Sequence, residues 1–195
     1  MTYRLGLTGS IGMGKSTTAA MFAAAGLPVW DADTAVHRLY AAGGLAVTPI
    51  REICPEATVN GDVSRETLRH AIASDSTFLA KLEAIIHPLV AADRAAFLTQ
   101  TTADIAVLDT PLLFEKSSQH EFHATLLVTA PPDLQRQRVL QRPGMTEPHF
   151  QTLLSRQMPD AQKRSLATHI VETLDLFATE AYVKSLIAHI RARHA

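Results

Sequence analysis

Apolar residues occur along the chain in short runs separated by longer polar and amphipathic stretches. Four runs predict buried strands, because each is short, rich in aliphatic side chains and followed by turn-forming or charged residues. They are RLGLT (4–8), LPVW (27–30), DIAVLD (104–109) and ATLLVT (124–129), and a shorter fifth run is HIV (169–171).

Helical signals lie between these runs. KSTTAAMFAAA is rich in alanine, and Gly26 follows it as a stop signal. Asp31 or Asp33 opens a second helix that continues to Tyr40, and Pro131–Pro132 opens the helix DLQRQRVLQR. The last predicted helix carries one apolar stripe, formed by Leu176, Val183, Ile187 and Ile190.

The middle of the chain, about residues 41–103, contains no convincing strand and is predicted to be a helical segment inserted between two strands. Ser64 and Asp75 are candidate helix caps, and Pro88 marks a helix break or a new first turn. Strand, glycine-rich turn, helix and strand at the N-terminus form a βαβ unit. The sequence therefore predicts an α/β fold with a parallel sheet.

Composition limits the class of protein. A chain of 195 residues suffices for one domain with a small inserted subdomain, and a net charge of −1 argues against nucleic-acid binding through a broad basic surface. The single cysteine, Cys54, cannot form an internal disulfide, which fits a reducing compartment. No apolar stretch approaches the roughly 20 residues that span a bilayer. We expect a cytoplasmic, soluble protein without membrane or nucleic-acid partners.

The stretch GLTGSIGMGKST, residues 6–17, carries the clearest chemistry. Gly9, Gly14, Lys15 and Ser16 satisfy the pattern G-x-x-x-x-G-K-[ST] between a predicted strand and a predicted helix. The glycines let successive backbone N–H groups face phosphate oxygens, and the start of the helix adds its positive dipole. Lys15 would reach the β- and γ-phosphates, and the Ser16 hydroxyl would ligate Mg²⁺. The pattern predicts a nucleoside triphosphate site.

A phosphate loop alone leaves the reaction open, because switch GTPases, motor ATPases and small-molecule kinases all use one. The guanine-reading pattern N-K-x-D is absent from the sequence, and the chain is too short for the additional elements of a motor. A small-molecule kinase is favoured. A kinase of another small molecule or nucleotide, and a regulatory nucleotide switch, remain the alternatives.

Further stretches, in order, resemble the dephospho-CoA kinase family: GLTGSIGMGKST, GLPVWDAD, IIHPL, LDTPLLFE, QRQRVLQRPGMT and RQMPDAQKR. The resemblance covers about residues 4–170. It implies transfer of the ATP γ-phosphoryl group to the ribose 3′-hydroxyl of dephospho-CoA. It also implies a P-loop kinase fold with a five-stranded parallel sheet flanked by helices, a helical acceptor-binding insertion (about 41–103), a core (about 1–40 and 104–195) and a lid (about 136–165).

The resemblance also implies roles for individual residues. Lys15 and Asp33 are the expected catalytic residues, and Ser16 and Asp109 the expected Mg²⁺ ligands. ATP is expected to contact Gly9, Ser10, Ile11, Gly12, Met13, Gly14, Lys15, Ser16, Thr17, Arg138 and Arg142. The acceptor is expected to contact Thr8, Asp33, His87, Pro111 and Leu112, with the segment 111–115 forming part of the pocket wall.

Each of these residue types has a plain structural alternative. Asp33 could accept the hydroxyl proton or cap the helix that follows it, and Asp31 has the same two possibilities. Asp109 ends a strand, where it could hold Mg²⁺ or only form a turn. Arg138 and Arg142 lie four residues apart, predicted on one helix face with Arg136 pointing elsewhere, where they could bind phosphate or form a solvated basic face.

One stretch departs from the family pattern. Many members carry I-x-N-x-G after the last strand, whereas this chain has HIVETLDLF, without that asparagine or glycine. The resemblance therefore implies no nucleotide contact for residues 169–177.

Overall fold

The computed structural model describes residues 2–194. The strands are β1 (Tyr3–Thr8), β2 (Val29–Asp31), β3 (Thr58–Val59), β4 (Asp62–Val63), β5 (Ile105–Asp109), β6 (Ala124–Thr129) and β7 (His169–Glu172). The α-helices are α1 (Lys15–Ala24), α2 (Ala32–Tyr40), α3 (Val47–Ile53), α4 (Arg65–Ser74), α5 (Phe78–Gln100), α6 (Pro132–Leu140), α7 (Glu147–Ser155), α8 (Asp160–Leu166) and α9 (Leu176–His194). Short 3₁₀ helices span Pro55–Ala57 and Gln119–Glu121.

Five strands form one sheet in the order β2-β5-β1-β6-β7. β1 pairs in parallel with β5 on one side and β6 on the other, and β6 pairs in parallel with β7. The predicted α/β fold with a parallel sheet is confirmed, and all five predicted strands are present. The carboxyl ends of parallel strands lie at one edge of a sheet, which is where open α/β sheets bind ligands.

The chain divides into two compact units, residues 1–30 with 101–195 and residues 31–100. The first unit contains the sheet apart from the last residue of β2. Its core consists of aliphatic side chains of the sheet, such as Leu5 and Leu7, packed with Phe22 of α1 and with Val183 and Ile187 of α9. Burying each such side chain contributes about 1.5–3 kcal/mol, so the sheet and these two helices are a rigid base for the loops at the sheet edge.

The predicted stripe of α9 is correct except at its first member. Val183, Ile187 and Ile190 are buried, together with Leu186, but Leu176 is 68% exposed. Leu176 is the first residue of α9 and therefore lies ahead of the part of the helix that packs into the core.

The second unit is mostly helical and has its own core, which includes Leu39, Ile50, Leu68 and Leu82. The prediction that this part contains no strand was wrong, because β3 and β4 form a small antiparallel hairpin. Asn60 and Gly61 link the two strands with φ angles of 53° and 89°. Asn-Gly is the preferred pair for such a tight turn, but each strand has only two residues and leaves almost no apolar pattern.

The prediction for Pro88 was also wrong. α5 runs without interruption over 23 residues, and Pro88 lies inside it. A proline in a helix interior gives up one backbone hydrogen bond. Burial of Leu82 and Ile86 in the core of this unit offsets that loss. Among the described residues, no helix combines the length and apolar character needed to cross a membrane.

The predicted caps have different outcomes. Ser64 is the N-cap of α4, and its hydroxyl accepts a hydrogen bond from the N–H of Thr67 at 3.2 Å. Asp75 follows α4 and accepts from the N–H of Thr77 at 2.7 Å, so it holds the turn that leads into α5. Asp31 is the N-cap of α2 and accepts from the N–H of Thr34 at 2.6 Å.

Candidate active site

The glycine-rich loop joins the carboxyl end of β1 to α1. Gly12 and Gly14 have φ angles of 77° and 90°, a left-handed region that other residues rarely adopt. A Cβ atom on Gly12 would lie 2.5 Å from Cγ2 of Val139, and one on Gly9 would lie 2.7 Å from the carbonyl oxygen of Val128. Both the backbone angles and the close neighbours therefore require glycine here.

The loop ends in the first turn of α1, and Gly14 is the N-cap of that helix. In the part of the chain that the structure describes, no side chain caps the first N–H groups of α1. Free N–H groups and the positive end of the helix dipole make such a terminus attractive to an anion. Lys15 and the exposed Ser16 lie in the same turn. The geometry of the loop is therefore that of a phosphate site.

Lys15 forms an ion pair across the sheet edge. Its ammonium donates a hydrogen bond to Oδ1 of Asp109, the last residue of β5. The side chain of Asp109 is 1% exposed and that of Lys15 is 15% exposed. The pair brings the predicted phosphate-binding cation and the predicted metal-binding acid together at the end of β5.

The backbone of Ile11, inside the loop, is held on both sides by glutamine side chains. Its N–H donates to Oε1 of Gln157 at 3.1 Å, and its carbonyl accepts from Nε2 of Gln135 at 2.7 Å. Gln135 lies on α6 and is 4% exposed, whereas Gln157 lies between α7 and α8. These two contacts fix the outer side of the loop.

A cavity of about 290 Å³ opens beside the loop within the first unit. Its wall includes Gly12, Gly14, Thr17, Arg138, Arg142 and Thr173. The guanidinium of Arg138 donates to the hydroxyl of Thr173 at 2.8 Å and to the carbonyl of the same residue. Arg138 is thus held at the cavity wall, which a freely solvated side chain would not be.

The prediction that Arg138 and Arg142 share a helix face was wrong, because α6 ends at Leu140 and Arg142 lies in the following turn. The chain turns at Pro143–Gly144, where a helix cannot continue easily. Both side chains nevertheless line the same cavity. Arg136 is paired elsewhere, with its Nε 2.8 Å from Oε2 of Glu147.

The segment after β5, residues 110–118, contributes to the site edge and to the core. The buried hydroxyl of Thr8 donates to the carbonyl of Pro111 at 3.1 Å, which brings two predicted acceptor residues together. Leu112 is 40% exposed, whereas Leu113 and Phe114 are core residues.

Glu115, the last residue of the predicted pocket wall, binds to the segment before and within α8. Its Oε1 accepts from the N–H of Met158 at 2.9 Å and lies 2.7 Å from Nζ of the fully buried Lys163. Met158 directly follows Gln157, which contacts the glycine-rich loop. Glu115 therefore fixes the backbone next to one of the two loop-binding glutamines.

The remaining predicted acceptor residues lie in the second unit. Asp33 is exposed in the first turn of α2, while Asp31 carries the capping hydrogen bond of that helix. His87 lies on α5, with its Nε2 3.6 Å from Oε1 of Glu83.

The donor atoms near the loop suit a hard cation. Among residues 2–194, no group of three or more His, Cys, Asp or Glu side chains is placed to hold a metal ion. A Mg²⁺ ion that travels with a nucleotide needs only one or two protein oxygens, because phosphates and water supply the others. The Ser16 hydroxyl and the Asp109 carboxylate are oxygens of the required kind.

Several residues of this site were not predicted from the sequence. Thr173 lies outside the quoted motifs. Gln135, Gln157 and Lys163 lie within family-like stretches that assign them no role, and their partners are distant along the chain. The hydrogen bond from Thr173 to Met13, for example, joins residues 160 positions apart.

The chain is similar to known proteins over nearly its whole length. The profile of the dephospho-CoA kinase family matches residues 3–175. The dephospho-CoA kinase of Cereibacter sphaeroides is 64% identical over 189 residues, which are 97% of this chain and 96% of that protein. A solved structure from Thermus thermophilus is 33% identical, with a TM-score of 0.87 and coverage of 97% of this chain and 98% of that one.

The structure of dephospho-CoA kinase from Campylobacter jejuni is 20% identical and covers 97% of this chain and 98% of that one, with a TM-score of 0.71. At that identity the likeness concerns the fold, and it supports the P-loop kinase architecture. The resemblance found in the sequence is confirmed by the profile match and by the relative of 64% identity. The chain belongs to the dephospho-CoA kinase family.

Proposed function

We propose that this protein transfers the γ-phosphoryl group of ATP to the ribose 3′-hydroxyl of dephospho-CoA, giving coenzyme A and ADP. Its membership of the dephospho-CoA kinase family supports this reaction. The single structural observation that carries the proposal is the geometry of the glycine-rich loop. The loop ends at the start of α1, where no side chain of the described residues caps the first N–H groups, and Lys15 is held at the end of β5.

The triphosphate of ATP binds the loop, residues 9–17. Its negative oxygens are matched by the N–H groups of the first turn of α1 and by the Lys15 ammonium. The cavity beside the loop takes the nucleoside part of ATP, with Arg138 and Arg142 on its wall. A guanidinium there can pair with phosphate oxygens or stack on a base.

Lys15 stabilises the charge that develops on the transferred group. Its pairing with Asp109 keeps the ammonium at the sheet edge before the nucleotide arrives. Ser16 and Asp109 are the residues that would hold Mg²⁺, and that ion would neutralise phosphate charge and align the β- and γ-phosphates. Lysine, loop amides and arginines together provide electrostatic stabilisation, which is the main means of catalysis in phosphoryl transfer.

Asp33 acts on the acceptor. Its carboxylate takes the proton of the ribose 3′-hydroxyl as the oxygen forms a bond to the γ-phosphorus, and the bond from that phosphorus to the β–γ bridging oxygen breaks. Asp31 forms the capping hydrogen bond of α2, and the nearby Asp33 is exposed, which supports the role of proton acceptor for Asp33. Thr8, His87, Pro111 and Leu112 are proposed to contact the acceptor.

The domain roles follow the same proposal. The helical segment of about residues 41–103 holds the acceptor, and the segment of about 136–165 acts as a lid over ATP. The enzyme works in the cytoplasm, in keeping with one buried cysteine and a substrate of intermediary metabolism.

The test is a coupled assay of ADP release with dephospho-CoA, adenosine, AMP or pantetheine phosphate as acceptor. We expect rapid ADP release only with dephospho-CoA. We also expect ³¹P NMR to show that the product carries the new phosphate at the 3′ position. Equal turnover of AMP would favour a nucleotide kinase. Slow ATP hydrolysis that no acceptor accelerates would favour a regulatory switch.

A further inference from the structure

Thr173 directly follows β7 and contacts the glycine-rich loop and the nucleotide cavity at once. It is 6% exposed. Its hydroxyl donates a hydrogen bond to the carbonyl oxygen of Met13 at 2.8 Å, with the carbonyl oxygen of Thr129 farther away at 3.3 Å, and accepts one from Nη1 of Arg138 at 2.8 Å. Its own N–H donates to the carbonyl of Thr129 at 2.9 Å, which anchors it to the sheet. One hydroxyl therefore links the loop to an arginine of the cavity wall.

The side chain of Thr173 also packs against the loop. A Cβ atom on Gly14 would lie 3.0 Å from Oγ1 of Thr173 and 3.3 Å from its Cβ. Gly14 adopts a φ angle of 90° at the start of α1, so the threonine covers the face of the loop where that residue has no side chain. The contact supports the position of the loop residue next to Lys15.

The bond to Met13 has a consequence for the opposite side of the same peptide. In a trans peptide the carbonyl and the N–H point in opposite directions. The peptide between Met13 and Gly14 has its carbonyl directed to Thr173, so the N–H of Gly14 points away from Thr173. In a loop that binds phosphate through its amides, the orientation of this peptide plane decides whether that amide can be used.

We propose that Thr173 is a positioning residue of the nucleotide site: its hydroxyl sets the Met13–Gly14 peptide plane and the direction of the Arg138 guanidinium together. This inference rests on the proposed nucleotide site. Thr173 acts through these two groups and has no contact with the reacting atoms in the mechanism above. A hydroxyl suits the task because one oxygen can donate to one partner and accept from another.

The segment after β7 reaches both the loop and the cavity wall. Its contact with the loop is made by the hydroxyl of Thr173, and the N–H of the same residue ties it to the sheet.

The experiment compares Thr173→Val, which keeps the shape and removes the hydroxyl, with Thr173→Ser, which keeps the hydroxyl. Calorimetry with ADP gives the Kd, and steady-state assays give KM for ATP and kcat. For Thr173→Val we expect about a tenfold to hundredfold weaker ADP binding, since a buried carbonyl and a guanidinium lose one partner each. Thr173→Ser should restore most of the affinity. Wild-type affinity in Thr173→Val would overturn the proposal.

A double-mutant cycle with Arg138→Lys tests the link itself. If Thr173 acts through Arg138, adding Arg138→Lys to Thr173→Val should cost much less than Arg138→Lys costs alone. Fully additive losses would show that the two residues act independently and would contradict the proposed coupling. Should Thr173→Val fail to fold, Thr173→Ala replaces it in the same cycle, because the smaller side chain cannot overpack the site.

The matched control is Thr125→Val. Thr125 is also buried, on β6, and its hydroxyl accepts from the N–H of Thr168 at 3.1 Å, away from the loop. This change should lower the melting temperature without altering ADP affinity per folded molecule. If the wild-type protein does not bind ADP at all, the nucleotide site itself is wrong. If the wild type binds ADP and Thr173→Val binds it equally well, only the role of Thr173 is wrong.

Discussion

The ammonium of Lys15 donates a hydrogen bond to Oδ1 of Asp109, so the cation of the glycine-rich loop is tied to the acid at the end of β5. Both side chains are largely removed from water. A buried charge without a partner is costly, and the pair therefore keeps the lysine in place at the sheet edge. A bound triphosphate offers the ammonium further negative partners at the same place.

Lys15→Ala should abolish phosphoryl transfer in a chain that still folds, with a lower free energy of unfolding because the buried Asp109 loses a partner. Loss of a group that stabilises transition-state charge costs about 10²-fold or more in kcat. The measurement is kcat in the ADP-release assay, with circular dichroism to check folding. Lys184→Ala is the control, because Lys184 pairs with Glu180 on the exposed side of α9 and should leave turnover unchanged. Near wild-type turnover of Lys15→Ala would show that the phosphate-loop assignment is wrong.

Asp33→Asn should affect activity, whereas Asp31→Ala should affect stability. Asp33→Asn should lower kcat by roughly 10²- to 10⁴-fold, the range for a positioned acid–base group, with little change in ATP affinity. Asp31→Ala should lower the free energy of unfolding by about 1 kcal/mol, because it removes the cap of α2. Urea denaturation and kcat on both variants distinguish the roles. Destabilised Asp33→Asn with activity proportional to its folded fraction would assign the structural role to Asp33 instead.

The features that could be predicted from the sequence are those with strong local signals. The apolar runs predicted every strand of the sheet, and G-x-x-x-x-G-K-S predicted the loop in which Gly12 and Gly14 adopt left-handed φ angles. The start of α2 was predicted at Asp31 or Asp33, because both aspartates follow a strand and precede an apolar-periodic segment, and the structure shows that Asp31 is the cap.

The features that could not be predicted depend on contacts between distant segments. Thr173 and Met13 are 160 positions apart, and Gln157 and Ile11 are 146 apart, so no local pattern links them. The uninterrupted course of α5 through Pro88 could not be predicted for a related reason. Local propensity disfavours proline inside a helix, but burial of neighbouring residues on α5 outweighs that preference.

Replacing Arg142 with lysine should weaken catalysis even though the charge is kept. Lysine cannot reproduce the planar fork that grips two oxygens or stacks on a base, so kcat/KM for ATP should fall about tenfold. Arg136→Lys is the matched control from the same region, because Arg136 pairs with Glu147 and does not line the cavity. An unchanged kcat/KM for Arg142→Lys would show that Arg142 is a solvated surface residue and does not contact ATP.

Stability should fall as the pH is lowered below about 6.5, because of two histidines. Partial loss of hydration, with Arg4 and His194 nearby, lowers the pKa of the exposed His123, and burial, with His189 nearby, lowers the pKa of the half-buried His169. The unfolded chain binds protons near the ordinary pKa of about 6.5, while the folded chain does so only at lower pH. The stabilising contribution is therefore complete above pH 6.5 and is lost as the pH falls through the lowered values.

Urea denaturation at several pH values checks this prediction. His123→Asn and His169→Gln should each reduce the slope of unfolding free energy against pH in that range. The N–H of Arg4 donates to Nδ1 of His123 at 2.8 Å, and asparagine offers an oxygen for the same bond. His70→Gln, at an exposed position of α4, serves as the control. Equal slopes in all variants would mean that other groups cause the loss.

The buried pair of Glu115 and Lys163 should be strongly coupled in stability. Lys163 is fully buried, with Nζ 2.7 Å from Oε1 of Glu115. Glu115→Gln or Lys163→Met alone should lower the free energy of unfolding by about 3–5 kcal/mol, because each leaves a buried charge without its main partner. The double variant should lose much less than the sum of the two, since neither charge then remains.

A double-mutant cycle by urea denaturation measures this coupling, with the exposed pair Glu180 and Lys184 as the control expected to show almost none. Additive losses for Glu115 and Lys163 would mean that the pair contributes through packing, and that their charges do not stabilise one another.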